Sequence, residues 1–269
     1  MKKKLLVWGA VLLSLAILGV IFVFLLVKAV RGPAPKTAAD HVIAHVGGSG
    51  YAADYSFDAF DAVIADGITH IEQDVVISKD GTIYVCHDVT AQRLCGDERL
   101  FRNMTDAEIG ALTTVNGNKF ITLDAVFDRY KGNEKIIFVV ELKDQTATDP
   151  FLALVEKHNL QRRCIVQSVN YMPLKTCKTT LPFMRTLYLA KDQIDFNIML
   201  SQYYIDIISL QQASLSAENV AAAHEAGKLF NTWVCDNEEE ISRAILAGAD
   251  TYFSNYPQQA MRLEGELRK

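Results

Sequence analysis

Beyond about residue 40 the chain alternates short β-branched or aromatic runs with stretches whose apolar positions recur at helical spacing. The runs are His41–His45, His70–Ile77, Thr82–His87, Lys135–Leu142, Cys164–Gln167, Thr186–Leu189, Ile205–Leu210, Leu229–Val234 and Thr251–Phe253. Several of the intervening helices carry their own start signals. Ser56 is placed to cap a helix that turns Phe57, Phe60, Val63 and Ile64 to one side. Thr105 with Glu108 three residues later forms a capping box, and Pro150 suits a first turn ahead of Phe151, Leu154 and Val155. Asn237 opens a last helix with Ile241, Ala244 and Ile245 inward, which Gly248 closes. Strand–helix alternation of this kind predicts a parallel sheet covered by helices, and the number of repeats fits a closed TIM-type (β/α)8 barrel better than an open sheet.

One connection breaks the alternation. Asp80 and Gly81 separate two strand-like runs with no room for a helix, and Asp-Gly is a preferred two-residue hairpin turn because both positions tolerate positive φ. Pairing Lys79 with Thr82 across that turn sets Val76 opposite Val85, Val75 opposite Cys86 and Asp74 opposite His87. Glu72 lies two residues before Asp74 and so shares its face. This register predicts one polar cluster of Glu72, Asp74 and His87.

Paired carboxylates on one strand, with a third from a neighbouring strand, suit a hard divalent cation that takes oxygen ligands. Glu141 is the natural third: it follows five apolar residues in IIFVVELK, where a charge without partners is costly, and Lys143 projects to the same face. His45 closes the first run, and the glycines that follow it, Gly47 first, offer backbone N–H groups to an anion. The ends of barrel strands are where such folds carry chemistry. Two imidazoles, three carboxylates and one ammonium there suit displacement at a phosphate, with one histidine removing a proton and the other supplying one. Trp233, in NTWVCDN, is placed either to flank a substrate or to pack in the core. His41, His70, His158 and His224 receive no role. Taken singly each of these residues has an ordinary reading, a solvated strand end or a surface ion pair; their coincidence at strand ends is what points to a site.

The amino terminus has a different character. Leu5–Val27 contains no charge and only one hydroxyl, Ser14, and a helix of that length covers a bilayer's hydrocarbon core of roughly 30 Å. It is longer than the apolar region of a cleaved signal, so it reads as an uncleaved anchor. The expected organisation is a basic tail at 1–4, a transmembrane helix at 5–27, a linker at 28–39 and a catalytic domain at 40–269. The short lysine-rich leader favours an extracytoplasmic domain on a single-pass cell-membrane protein. Residues 1–36 hold six basic residues and no acid, leaving 21 basic against 32 acidic residues in the remainder, a formal −11. Such a body is a poor partner for nucleic acid. The five cysteines lack CxxC spacing and read mainly as buried thiols, with Cys164–Cys177 or Cys86–Cys95 as conceivable bridges.

These segments resemble the glycerophosphodiester phosphodiesterase family over about residues 41–257. IAHVGGSGYAADYSFDAF is similar to the family's HRGxxGxxPENT opening, IEQDVVISKDGTIYVCHDVT to its ELDVxxTKDGxxVVxHDxT block, and ITLDAVFDRY, VVELK, QSV, NTWVCDN and AGADTYFSNYP follow in the family's order. The resemblance implies His45 and His87 as the acid–base pair, Glu72, Asp74 and Glu141 as ligands of Ca2+ or Mg2+, and Lys143 as a phosphate contact. It further implies a short insertion after the third strand, residues 88–120, and release of glycerol 3-phosphate and an alcohol from a glycerophosphodiester. Three positions depart from the pattern: Val46 stands where the family has arginine, Asp54 where it has the PENT glutamate, and Asn255 where it has aspartate. Loss of a bidentate guanidinium is typically worth about 1.5–3 kcal/mol. Two other expectations therefore stand beside hydrolysis of glycerophosphodiesters: a surface protein that binds phosphodiesters with weakened turnover, and a lysophospholipase D-like enzyme acting on a non-glycerol diester.

Overall fold

The computed structural model describes residues 13–22, 35, 37–52 and 54–268. Residues 13–22 form a helix with exposed apolar side chains, among them Leu13, Ile17 and Val20. No helix of the described residues is long and apolar enough to cross a membrane, and the rest of the predicted span at 5–27 lies outside them.

The body contains the predicted barrel. Strands β1 (Val42–Ala44), β2 (His70–Ile77), β6 (Ile137–Leu142), β7 (Cys164–Ser168), β8 (Arg185–Leu189), β9 (Ile207–Gln211), β10 (Leu229–Trp233) and β11 (Thr251–Ser254) pair in parallel, and β1 closes the ring by pairing with both β11 and β2. Alternate residues of these strands meet inside it, where Ile43, Val139, Ile165, Leu187, Ile207 and Phe253 form the inner apolar layer. The other set packs outward on the helices in one large core that includes Phe60, Phe127, Phe138, Phe151 and Phe230. The helix starts lie where the sequence puts them. Ser56 accepts from the Ala59 N–H, Thr105 and Glu108 form a complete capping box, and Asn237 accepts from the Glu240 N–H, while Gly248 ends its helix in the left-handed region. Away from the strands' carboxyl ends, a buried ion pair ties the helix Tyr171–Thr180 to β9. There the Lys178 ammonium lies 2.7 Å from Asp206, whose same oxygen accepts from the Thr186 N–H at 2.9 Å.

The hairpin is present, but its register differs by one residue from the sequence expectation. Strand β3 (Ile83–Val85) runs antiparallel to β2 with Val75 opposite Val85, Val76 opposite Tyr84 and Ile77 opposite Ile83. The turn therefore holds three residues, Lys79, Asp80 and Gly81, with Gly81 at φ 88°. The cause is tertiary. The Lys79 N–H is drawn to the Met104 carbonyl at 2.8 Å, and the Asp80 carboxylate accepts from the Asp106 N–H at 2.8 Å, capping the helix Asp106–Ala111. Both contacts come from the insertion and remove Lys79 from the ladder. In consequence Cys86, not His87, lies opposite Asp74, with its N–H on the Asp74 carbonyl at 2.9 Å.

The insertion carries a two-stranded ribbon that the sequence pattern does not show, β4 (Thr90–Ala91) with β5 (Asp97–Leu100). It buries Phe101, Met104 and Ile109 against Val76, Tyr84 and Cys86 as a small separate core. All five cysteines are free thiols, so neither conceivable bridge is formed.

Candidate active site

The site is assembled by β2 and β6, which pair in a register that sets Asp74 beside Glu141. Strand alternation turns Glu72, Asp74 and Glu141 into the barrel together. One carboxylate oxygen from each lies within 4.8 Å of the others, and all three residues are buried. Lys143, one further step along the same face, bridges two of them, its ammonium 2.8 Å from Asp74 and 2.9 Å from Glu141. The Tyr55 hydroxyl donates to the other oxygen of Asp74, and the Val46 N–H donates to Glu72 at 2.8 Å.

The electrostatics follow from burial. It pushes the Glu72 carboxyl well above its usual range, with the neighbouring Asp74 charge adding to the effect and the Val46 N–H opposing it. Burial and Asp74 also raise Glu141. Burial disfavours the charge on Lys143, but Asp74 and Glu141 outweigh it and hold the ammonium above the ordinary lysine range. Three buried carboxylates against one ammonium leave an excess of negative charge, and all the facing donors are oxygens. The residues fit a hard divalent cation.

His45 follows β1 at the mouth of the barrel. Its Nδ1 lies 2.9 Å from the Asn255 Oδ1, and the Asn255 amide nitrogen in turn donates to Asp236 at 2.7 Å. Because Asp236 takes the NH2 end of that amide, the oxygen faces His45 and accepts from Nδ1–H, which leaves Nε2 as the basic nitrogen. Burial lowers the His45 pKa below 6.5 despite the Asn255 bond and the nearby Asp74 and Asp236 charges; a positive His87 would lower it further. Neither Asn255 nor Asp236 stands out in the sequence for this role. Asn255 sits in the FSNYP segment and Asp236 in NTWVCDN, so the signal lies in motifs that the family resemblance covers.

His87 stands apart from the carboxylates. With the register slipped, it lies in the loop after β3, half exposed, its Nδ1 on the Asp88 carboxylate at 2.8 Å. Arg93 of the insertion links that same Asp88, at 2.6 Å, to Asp54 at 3.1 Å, fixing the loop across the mouth. The predicted face-to-face contact of His87 with Asp74 is therefore not formed. Gly47 is buried, and a Cβ there would stand 2.0 Å from Phe60, so close packing alone requires glycine. Val46 adopts φ 53°, a strained conformation for a β-branched residue, and its side chain joins the outer core. Trp233 ends β10 and packs on the inner layer. Among the described residues its indole N–H and the Gln167 Oε1 have no hydrogen-bond partner, while the Gln167 amide nitrogen donates to Glu141 at 2.9 Å.

Residues 45–259 match the Glycerophosphoryl diester phosphodiesterase family. The chain belongs to that family. A glycerophosphodiester phosphodiesterase of Caldanaerobacter subterraneus subsp. tengcongensis is 26% identical over 243 residues, which cover 82% of this chain and 96% of the relative. The crystal structure of a glycerophosphodiester phosphodiesterase from Parabacteroides distasonis has the same fold, with a TM-score of 0.76 at 21% identity over 87% of this chain and 100% of that one. A phosphodiesterase of Oleispira antarctica in complex with its product sn-glycerol-3-phosphate gives a TM-score of 0.73 at 21% identity, covering 84% of this chain and 98% of that one. The family's members are phosphoric diester hydrolases, and the acidic cluster occupies the barrel mouth that this fold uses for chemistry.

Proposed function

We propose that this chain hydrolyses glycerophosphodiesters to an alcohol and glycerol 3-phosphate in a metal-dependent reaction at the mouth of its barrel. The observation that carries the proposal is the convergence of Glu72, Asp74 and Glu141 oxygens within 4.8 Å, with Lys143 bridging two of them. Family membership and the product bound to the Oleispira relative support the same substrate class.

Glu72, Asp74 and Glu141 would hold Ca2+ or Mg2+, whose chemistry when bound is Lewis-acid neutralisation of phosphate oxygens. Lys143 presents an ammonium beside that position and donates to a phosphate oxygen. His45, its pKa lowered by burial and its Nε2 free, accepts a proton from the attacking water, whose oxygen bonds to phosphorus as the bond to the alcohol oxygen breaks. His87, its Nδ1 held by Asp88, gives a proton from Nε2 to the departing alcohol oxygen. The N–H of Gly47 and the indole N–H of Trp233 serve the substrate as further donors. Val46 turns its side chain into the core, so no guanidinium acts from that position. Weaker turnover than in relatives with arginine there is the expected consequence.

The test is a panel of glycerophosphodiesters assayed with Mg2+, with Ca2+ and with chelator, beside His45→Ala and His87→Ala. Release of glycerol 3-phosphate that needs metal and falls in both variants supports the assignment. Tight binding of the same diesters without turnover would replace it with the binding-protein reading. For the amino terminus we propose a single-pass anchor at residues 5–27 with the domain outside the membrane, supported by the uncharged sequence. Protease digestion of intact cells that leaves the domain protected would overturn that orientation.

A further inference from the structure

His87 is held by a chain of charged groups that the insertion completes. Its Nδ1 lies 2.8 Å from one oxygen of Asp88; the other Asp88 oxygen accepts from the Arg93 Nε at 2.6 Å, and a second nitrogen of the same guanidinium donates to Asp54 at 3.1 Å. Asp54 belongs to the loop between β1 and the helix Phe57–Ala65, Asp88 to the loop after β3, and Arg93 to the short helix Gln92–Cys95 of the insertion. One side chain therefore ties two separate loops to a third segment. The backbone that carries it is itself fixed: the next residue, Leu94, packs on the small core of Phe101, Met104 and Ile109, and its carbonyl accepts from the Val115 N–H at 2.7 Å.

As a source of stability these contacts count for little, because the Arg93 side chain is 49% exposed and exposed ion pairs are screened by water. Their effect on geometry is larger. His87 lies past the last ladder residue, and among the described residues Asp88 is its one hydrogen-bond partner, so the imidazole turns with the Asp88 side chain. That carboxylate has two torsions of its own. Arg93 restrains both by engaging the oxygen that His87 leaves, and Asp54 on the far side of the planar guanidinium keeps the fork from swinging away. With Nδ1 engaged, Nε2 is the nitrogen left to exchange a proton. Proton transfer needs hydrogen-bond reach, and a misplacement of about 1 Å costs roughly 10²-fold in rate.

We propose that Arg93 is a positioning residue for His87: it holds Asp88, and through Asp88 the imidazole, in the orientation that delivers a proton to the departing alcohol. The inference rests on the proposed hydrolysis with His87 as acid, and its test separates the two. In that step the water oxygen bonds to phosphorus, the alcohol oxygen leaves with its electron pair, and the Nε2 proton goes to that oxygen. An aryl oxygen leaves as a stable phenolate and needs no such proton. The full chain and its His87→Ala, Arg93→Met and Arg93→Lys variants are therefore assayed with Mg2+ on the ethyl and the p-nitrophenyl diesters of glycerol 3-phosphate. His87→Ala should lower kcat on the ethyl diester by about 10²–10⁴-fold and far less on the aryl one. Arg93→Met should lower it by about 10–100-fold on the ethyl diester, again far less on the aryl one, with KM and Tm little changed. Arg93→Lys, which keeps the charge and loses the fork, should recover part of the rate. An equal loss on both diesters, a loss confined to KM, or no loss in Arg93→Met overturns the inference and leaves the proposed function standing. If the wild type hydrolyses neither diester, or His87→Ala spares the ethyl one, the acid assigned in the proposed function falls, and nitrogen NMR of the neutral His87 ring decides on Arg93. The wild type should show the Nδ1–H tautomer that Asp88 selects and Arg93→Met the mixture of a free imidazole; identical spectra overturn the inference, and the change upholds it.

Discussion

Replacing Glu72 by glutamine should move stability in opposite directions with and without metal. In the metal-free protein Glu72 is buried beside Asp74, and its folded pKa lies well above the reference value of 4.5. A carboxyl with a raised folded pKa favours the fold fully below the unfolded value, and that contribution is lost as pH rises from there through the folded value. Each pH unit above 4.5 thus costs the metal-free protein about 1.4 kcal/mol until the folded pKa is reached, so the ceiling at pH 7 is about 3.4 kcal/mol. Glutamine carries no such cost and keeps an oxygen for the Val46 N–H. At roughly 2–4 °C per kcal/mol for a domain of this size, Glu72→Gln should raise the Tm at pH 7 in chelator by up to about 7–14 °C. The advantage should vanish at pH 4.5. Metal reverses the ranking: at a hundred times Kd the wild type gains about 2.7 kcal/mol, or about 5–11 °C, and the variant, short of one anionic ligand, gains much less. Thermal denaturation between pH 4.5 and 8, with chelator and with Mg2+ or Ca2+, reads both effects. A variant that is less stable than wild type in chelator at pH 7, or that retains the full metal-induced shift, would refute the reasoning.

Four further outcomes are expected. His45→Ala and His87→Ala should each lower kcat by about 10²–10⁴-fold while keeping the metal-induced rise in Tm, since neither touches the carboxylates; loss of that rise would make the histidine a ligand. Because burial lowers the His45 pKa, the acidic limb of the kcat/KM profile should lie below pH 6.5. Activity falls as that nitrogen gains a proton, and Asn255→Asp, which adds a carboxylate at Nδ1, should carry the limb to higher pH. Asn255→Ala should lower kcat by about 10–100-fold with KM little changed, the signature of a positioning residue; a change confined to KM would place Asn255 on the substrate instead. Lys178→Met strands the buried Asp206 charge and should cost about 3–5 kcal/mol, a fall in Tm of about 6–20 °C, read by thermal denaturation.

The barrel and its acidic cluster were legible because both depend on periodicity. Glu72 and Asp74 share a face by the two-residue repeat of a strand, and Glu141 is set by the same repeat on β6; neither inference needs the turn. The hairpin register was a different kind of inference. It assumed that the turn answers only to its own residues, whereas Met104 and Asp106, some 25 positions on, claim Lys79 and Asp80. A slip of one residue changes which residues stand opposite one another. It puts Cys86 opposite Asp74 and leaves His87 past the last ladder residue, where Asp88 holds it. The cap of insertion residues that supplies this control was visible only as a gap between strands, since β4 and β5 are too short to carry a pattern.

Val46 joins these threads. The sequence alone marks it as a missing cation, and the structure adds that its backbone plays a second part, because its N–H is the one described hydrogen bond to Glu72. Aiming that N–H into the barrel goes with φ 53°, where a β-branched side chain is strained by about 1–3 kcal/mol. The valine side chain recovers part of that by joining the outer core, where it is 8% exposed. The backbone at this position therefore serves Glu72 whichever side chain it carries. Loss of the guanidinium reduces the positive charge available to phosphate without disturbing the carboxylates, so the substitution is expected to act on turnover and not on metal affinity.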